Sequence, residues 1–396
     1  MSDLKESLHT EHLVLNMGPS HPATHGTVKF TMTLDGETIV DSYMEIGYLH
    51  RGFEKMCESV TYTNVFPYTD RLNYCSAIMN NIGYALAVEK LLGIECTERC
   101  NYIRVVVNEL SRISDHYTNI AAAALELGAL TAFIYFVEAR EIVWDILEKI
   151  CGARLTSNYI RIGGLMCDFP KDIDDDLQAI YPKLDDLFDD VDKLLTKNRI
   201  FIDRMRDTGI ISKEDAISFG FTGPCLRACG VDYDVRKQHP YLCYDKLDFD
   251  IPLGTTGDNF DRYLVRMEEI KQSLKMIKQA MKDMPDGPVQ VDNPFLRPPS
   301  KVDVYSKMEE MIAHFKLIID GVKPPVGEVY FPSEAANGEL GFYLVSDGSG
   351  KPYKCRVRPP CFSLTSAMDH IIKGEMLADV IPTFDMINMI GGECDR

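Results

Sequence analysis

The sequence predicts an α+β fold, and three observations predict it. Strand-like runs occupy the first 45 residues, long helical stretches follow, and the remainder mixes helix with short strands. Segregated rather than alternating elements pack as α+β. With 396 residues, 45% hydrophobic and 26% charged, the chain has enough apolar mass for a sizeable core. It reads as one large domain: a β-rich lobe at 1–55, a helical core at 56–284 with an irregular insert at 218–257, and a mixed part at 300–396 that completes the core. The proline-rich stretch 284–299 is the best internal linker.

Taken in order, Leu13–Met17, Val28–Leu34 and Glu37–Glu45 are β-rich, and Asp35-Gly36 between the last two is a hairpin signal. The intervening Gly18-Pro-Ser-His-Pro-Ala-Thr-His-Gly26 is too rich in glycine and proline for regular structure. Tyr74–Leu92 has good helix formers and stops at Gly93. Thr97 caps a second helix, along which Ile103, Val106, Leu110, Ile113, Tyr117, Ile120, Ala124 and Leu127 form an apolar stripe at three- and four-residue steps. Leu130–Cys151 is a third helix and the acidic stretch Asp172–Lys197 a fourth, which Pro182 is expected to kink or split. Phe260–Met284 and Lys301–Ile319 are helical. Gly327–Phe331 and Gly341–Ser346 are short strands around Asn337-Gly338, and Ser346–Gly350 is a hairpin turn.

Charge and composition exclude several functions. A net charge of −18 opposes binding to nucleic acid or to anionic lipid. The most apolar region, Ile120–Ala139, carries Glu126 and Glu138 and does not read as a membrane span. Met1–Glu11 lacks the apolar run of an export signal, so membrane contact is expected to come through partners. None of the 12 cysteines forms a Cys-x-x-Cys pair, and reduced, mostly buried thiols are expected.

His21 and His25 stand four apart, but Pro22 and the flanking glycines oppose the helix that would make them a metal pair. From the residues alone they read first as structural loop histidines and second as hydrogen-bond donors facing a cleft. Tyr74 at a helix start reads as packing, and Arg71 beside Asp70 as a surface pair. Glu126 interrupts an apolar helix end, so it must be paired, protonated or facing a polar cavity. Dinucleotide, Walker, nucleophile-elbow and zincin motifs are all absent.

Eight stretches stand out in order along the chain: Gly18–Gly26; Gly47-Tyr-Leu-His-Arg-Gly-Phe-Glu-Lys55; Pro67-Tyr-Thr-Asp-Arg-Leu-Asn-Tyr74; Tyr84–Leu92; Gly152-Ala-Arg154 with Tyr159-Ile-Arg161; Gly257–Glu269; Tyr343–Gly348; and Gly392-Glu-Cys-Asp-Arg396. Together they resemble the D (49-kDa) subunit family of respiratory complex I. They span nearly the whole chain in order. The resemblance implies the fold of nickel–iron hydrogenase large subunits, without the two Cys-x-x-Cys motifs that hold their metals. It implies no cofactor bound by this chain, and a quinone substrate (ubiquinone or menaquinone) in a cleft shared with the B subunit, which carries the terminal [4Fe-4S] cluster. Further implied partners are the C and I subunits of the peripheral arm and the H and A subunits of the membrane arm. The implied location is the cytoplasmic face of a bacterial plasma membrane.

By the same resemblance His25 and Tyr74 are donors to the quinone oxygens. Glu126 is the acid paired with His25, where the family usually has Asp. Arg51 and Arg71 lie near the cluster, and His21 shapes the loop. A phenol and an imidazole suit this chemistry, since two-electron reduction builds negative charge on both oxygens. A scaffold role for the same chain is the alternative, and a related hydrogenase-like or formate-coupled complex a weaker one, opposed by the missing cysteine pairs. Asn388 replaces a common Asp, which disfavours a proton route through that position unless Asp385 substitutes. Thr156 replaces a His linked to pH-dependent cluster potential, so the resemblance predicts a weak pH dependence of that potential. Redox titration of the terminal cluster at several pH values checks this, and a slope near one proton per electron overturns it.

Overall fold

The structure is a computed structural model that describes residues 12–24 and 26–396; His25 and the stretch 1–11 lie outside the described residues. Strands β1 (Leu13–Met17), β2 (Lys29–Asp35) and β3 (Thr38–Glu45) form an antiparallel sheet in the order β1-β2-β3, and Gly36 takes the positive φ of 64° that the hairpin turn requires. Along β2 the alternation buries Phe30, Met32 and Leu34. These side chains pack on the far end of the sequence: the Phe30 ring meets Phe384 edge-on at 5.7 Å, and Ile387, Met389 and Ile390 belong to the same apolar cluster. The first and last parts of the chain therefore share one core.

Helices α1 (Ala77–Leu92), α2 (Glu98–Glu126) and α3 (Leu130–Cys151) follow the predicted stripes and stops. Gly93 ends α1 at φ 66°, and the Thr97 hydroxyl accepts the Cys100 N–H at the start of α2. Helix α4 (Ile173–Leu195) runs through Pro182 without splitting. Its buried stripe of Ile173, Leu177, Ile180, Leu184, Phe188 and Val191 holds it on the core, and that packing overrides the local preference of proline for an end. The stretch 218–257 contains short helical turns, among them Gly223–Ala228 and Val235–Gln238. Helix α5 (Asn259–Asp283) packs along α2.

The region 301–319 makes two helices rather than one. They are α6 (Lys301–Ser306) and α7 (Met308–Ile319), separated at Lys307, whose φ of −126° and ψ of 129° are extended. Ser300 caps α6 by accepting the Asp303 N–H, and neither helix buries a residue. Strands β4 (Gly327–Ala335) and β5 (Gly338–Ser346) pair from Ala335↔Gly338 outward, and β6 (Lys354–Arg358) adds to β5. The last long element is α8 (Val380–Ile387), which also lies on α2. Among the described residues no helix is long and apolar enough to cross a membrane. All twelve cysteines are free thiols and eight are buried.

Helix α1 lies close on the β4–β5 hairpin because Gly83 faces it. A Cβ there would sit 2.6 Å from Ser333 Oγ and 3.3 Å from the Phe342 ring. Tyr84 then stacks edge-on to Phe342 at 5.7 Å and to Phe66 at 5.3 Å. Gly83→Val is expected to overpack this contact at about 1–3 kcal/mol, and thermal denaturation should show a lower unfolding midpoint.

Candidate functional site

The sequence places its candidate residues on four segments, and the fold brings three of these segments together. The loop 18–27 is held by its own hydroxyls. Thr24 Oγ1 donates to Pro19 O and His21 O, and Thr27 Oγ1 donates to Thr24 O. Only glycine fits at position 18, where φ is 92° and a Cβ would lie 2.3 Å from Val28 O. His21 is exposed and uses Nδ1 to accept the Ala23 N–H, so it shapes the loop. Thr27 abuts Gly391, where a Cβ would meet it at 2.6 Å. A Cβ on Gly392 would lie 2.5 Å from Arg71 O and 3.2 Å from the Arg51 guanidinium. The two glycines thus let the segment 391–395 close against both the loop and the stretch 67–74.

Tyr74 follows Asn73, whose side chain accepts the Cys75 N–H and caps the single 3-10 turn Tyr74–Ser76. The phenol is half-buried and its pKa is pushed up to about 12. Burial is the main cause; Cys75, Asp115 and Cys361 add to it, and Arg51 opposes it. Tyr74 therefore stays neutral over the physiological range and is available as a hydrogen-bond donor. Arg51 and Arg71 lie together beside it, both exposed. Arg51 Nη2 donates to Arg71 O at 2.7 Å, and Arg71 Nη1 bonds the Pro67 carbonyl with Asp70 at 3.9 Å. Asp70 is buried, and desolvation raises its pKa despite an amide bond from Asn81 and the nearby Arg71 and Arg161. The same Asn81 amide donates to Ser157 O, one residue after Thr156.

Glu126 is the last residue of α2 and is exposed. Burial, and further Glu126, hold the carboxyl of Asp385 well above the ordinary range. The relation of Glu126 to His25 lies outside the described residues. Sequence reasoning missed Asp115, which is buried in the middle of α2. Its Oδ2 accepts from Asn73 Nδ2 at 2.7 Å and its Oδ1 from Asn388 Nδ2 at 2.8 Å. Asn388 takes the left-handed φ of 59° that asparagine tolerates, and also bonds Asn337. Asn337 in turn donates to Glu393 at 3.2 Å. The position read as a missing proton-route acid is thus a structural amide that joins α2 to the strand hairpin and to the segment 391–395.

No group of three or more His, Cys, Asp or Glu residues suited to a metal is found among the described residues. What the site offers is a neutral phenol, two exposed cations and a buried polar network behind them.

The family described as the 49-kDa subunit of respiratory-chain NADH dehydrogenase matches residues 126–396. The chain is 54% identical to the NADH-quinone oxidoreductase D subunit of Myxococcus xanthus (strain DK1622) over 398 residues, covering 100% of this chain and 95% of the relative. It is 50% identical to the D subunit of Pelobacter propionicus over 395 residues, covering 100% and 98%. The C/D subunit of Bdellovibrio bacteriovorus is 52% identical over 389 residues, covering 98% of this chain and 70% of that longer protein. The chain belongs to the family of 49-kDa subunits of respiratory NADH dehydrogenase.

Replacing Asp115 by Ala would strand the Asn73 amide and take from Asn388 one of its two acceptors, at about 1–3 kcal/mol for a buried donor left without a partner. Asp115→Ala is expected to lower the thermal midpoint, and Asp115→Asn, which keeps one acceptor oxygen, to lower it less.

Proposed function

We propose that this chain is the quinone-site subunit of a proton-pumping NADH:quinone oxidoreductase. The observation that carries the reading is the half-buried, neutral Tyr74 phenol beside exposed Arg51 and Arg71 at the edge of the chain. The full-length likeness to proteins named as D subunits of NADH-quinone oxidoreductase supports it.

In this reading Tyr74 and His25 donate hydrogen bonds to the two oxygens of the quinone ring. The cleft is completed over Arg51 and Arg71 by the partner B subunit, whose [4Fe-4S] cluster supplies the electrons when bound there. This chain contributes no cluster ligand. Its exposed arginines suit the approach of a negatively charged group, since fixed positive charge favours the reduced state. As electrons arrive, negative charge grows on the quinone oxygens. The phenol first stabilises that charge by its hydrogen bond and then gives its proton. Glu126 is the acid that the family likeness pairs with His25. The C subunit is a partner, a reading that the joined C/D relative supports. The I, H and A subunits complete the contacts toward the membrane, against which the chain is peripheral.

The test uses native membranes carrying Tyr74→Phe and compares NADH oxidation by quinone with NADH oxidation by a hydrophilic artificial acceptor. The expected result is a fall of roughly 100-fold in the quinone rate alone, the size of a lost proton donor. If both rates are unchanged, the scaffold reading replaces this one.

A further inference from the structure

Glu393 has no role in the reaction as described, yet it is a buried acid behind the candidate site. It is completely buried and makes no ion pair among the described residues. One carboxyl oxygen accepts from the Cys361 thiol at 2.8 Å and from Asn337 Nδ2 at 3.2 Å, while Oε1 has no hydrogen-bond partner. A buried carboxylate without a counter-ion is costly to ionise, whereas the neutral acid is tolerated. The hydrogen-bonded series Glu393, Asn337, Asn388, Asp115, Asn73 ends one residue from Tyr74. The Cys361 thiol donates to Glu393 and is near enough to the phenol to help raise its pKa.

We propose that Glu393 is the proton store behind Tyr74, acting through the tyrosine to restore its proton after the quinone has taken it. The inference rests on the quinone-site reading above. The step balances as one proton leaving the Glu393 carboxyl and one joining the phenolate oxygen, with no electron transferred; Glu393 then regains its proton from solvent. Transfer from a carboxylic acid to a phenolate runs downhill here. The acid sits at about 7 and the phenol at about 12, both lifted chiefly by burial.

The groups facing Glu393 leave it poised. Asp115 on α2 opposes its ionisation, while Arg358 at the end of β6, the Cys361 thiol and Asn337 favour it. Arg358 is itself committed to Thr222 Oγ1, Gly220 O and Glu339 O. Cys394 is a buried neutral thiol, and the Asp395 carboxylate is occupied by the Gly47 and Leu49 N–H groups. Arg51 reaches the neighbouring Gly392 from the solvent side.

The store is full below about 7 and empties as pH rises through that value. In native membranes, the quinone rate divided by the hydrophilic-acceptor rate should therefore fall as pH passes from 6 to 8. Glu393→Gln, which carries no proton to give, should flatten that profile at a value well below wild type at the acid end, with the hydrophilic-acceptor rate retained. Glu393→Asp should restore part of the step. A wild-type profile in Glu393→Gln overturns the proposal; if Tyr74→Phe still loses the quinone rate, the quinone-site reading survives. If Tyr74→Phe also keeps its quinone rate, both fall. Should Glu393→Gln fail to assemble, Cys361→Ala provides the second measurement. Losing the thiol bond to the carboxylate should move the step to higher pH, and an unmoved step overturns the proposal.

Discussion

The fold turns on a cluster of charges buried where α2 crosses the middle of the molecule. Arg112, Arg227 and Arg236 lie among Glu109, Asp234, Glu269 and Glu334, with none of these side chains more than marginally exposed. Arg227 alone joins Glu269 on α5 to Glu334 on β4, and Arg112 donates to the carbonyls of Glu334 and Ala335. The arginines hold Glu109 down to about 2 and keep Glu269 well below the ordinary range, even though burial pulls both the other way. Such a cluster stabilises only when every member is paired; removing one partner from a buried pair costs about 3–5 kcal/mol. It ties α2, α5 and the β4–β5 hairpin together, and with four acids to three arginines, burial and the neighbouring Asp234 hold the Glu334 carboxyl above the ordinary range.

This cluster places the candidate site. Asp115 and His116 are consecutive on α2, and their side chains serve two different networks. His116 meets Glu269 at 2.8 Å and its pKa is lowered by burial. Asp115 meets Asn73 and Asn388. One helix therefore connects the ionic core to the polar series behind Tyr74. Gly391 and Gly392 allow the last segment to press on Thr27 and on the Arg71 and Leu72 carbonyls, while the Asn337 and Cys361 side chains hold Glu393. Preorganised donors of this kind need little rearrangement when charge develops beside them.

The apolar half of α2 was legible in the sequence and the polar half was passed over. Ile103, Val106, Leu110, Ile113, Tyr117 and Ile120 mark one buried face. Asn108, Glu109, Arg112, Asp115, His116 and Asn119 recur at the same three- and four-residue spacing and are also buried. A polar stripe normally means solvent, so its burial could not be inferred before the partners were known. The second periodic stripe was the available signal. Likewise local sequence does not show that tertiary packing carries α4 unsplit through Pro182, or that extended backbone at Lys307 interrupts a continuous helical pattern.

Taken alone, the sequence determined the element types and most of their ends. It also determined the hairpin at Asp35-Gly36 and the motifs that carry the family likeness, among them Tyr74, Arg51 and Arg71. These are local matters, set by periodicity, capping and turn chemistry within a few residues. Only the tertiary structure decided that Phe30 packs on Phe384, that Asn388 and Asn73 share one carboxylate, and that Glu393 lies buried with no ion pair among the described residues. Each of these joins positions far apart in the chain, and a buried charge is recognised only by the groups that do, or do not, surround it.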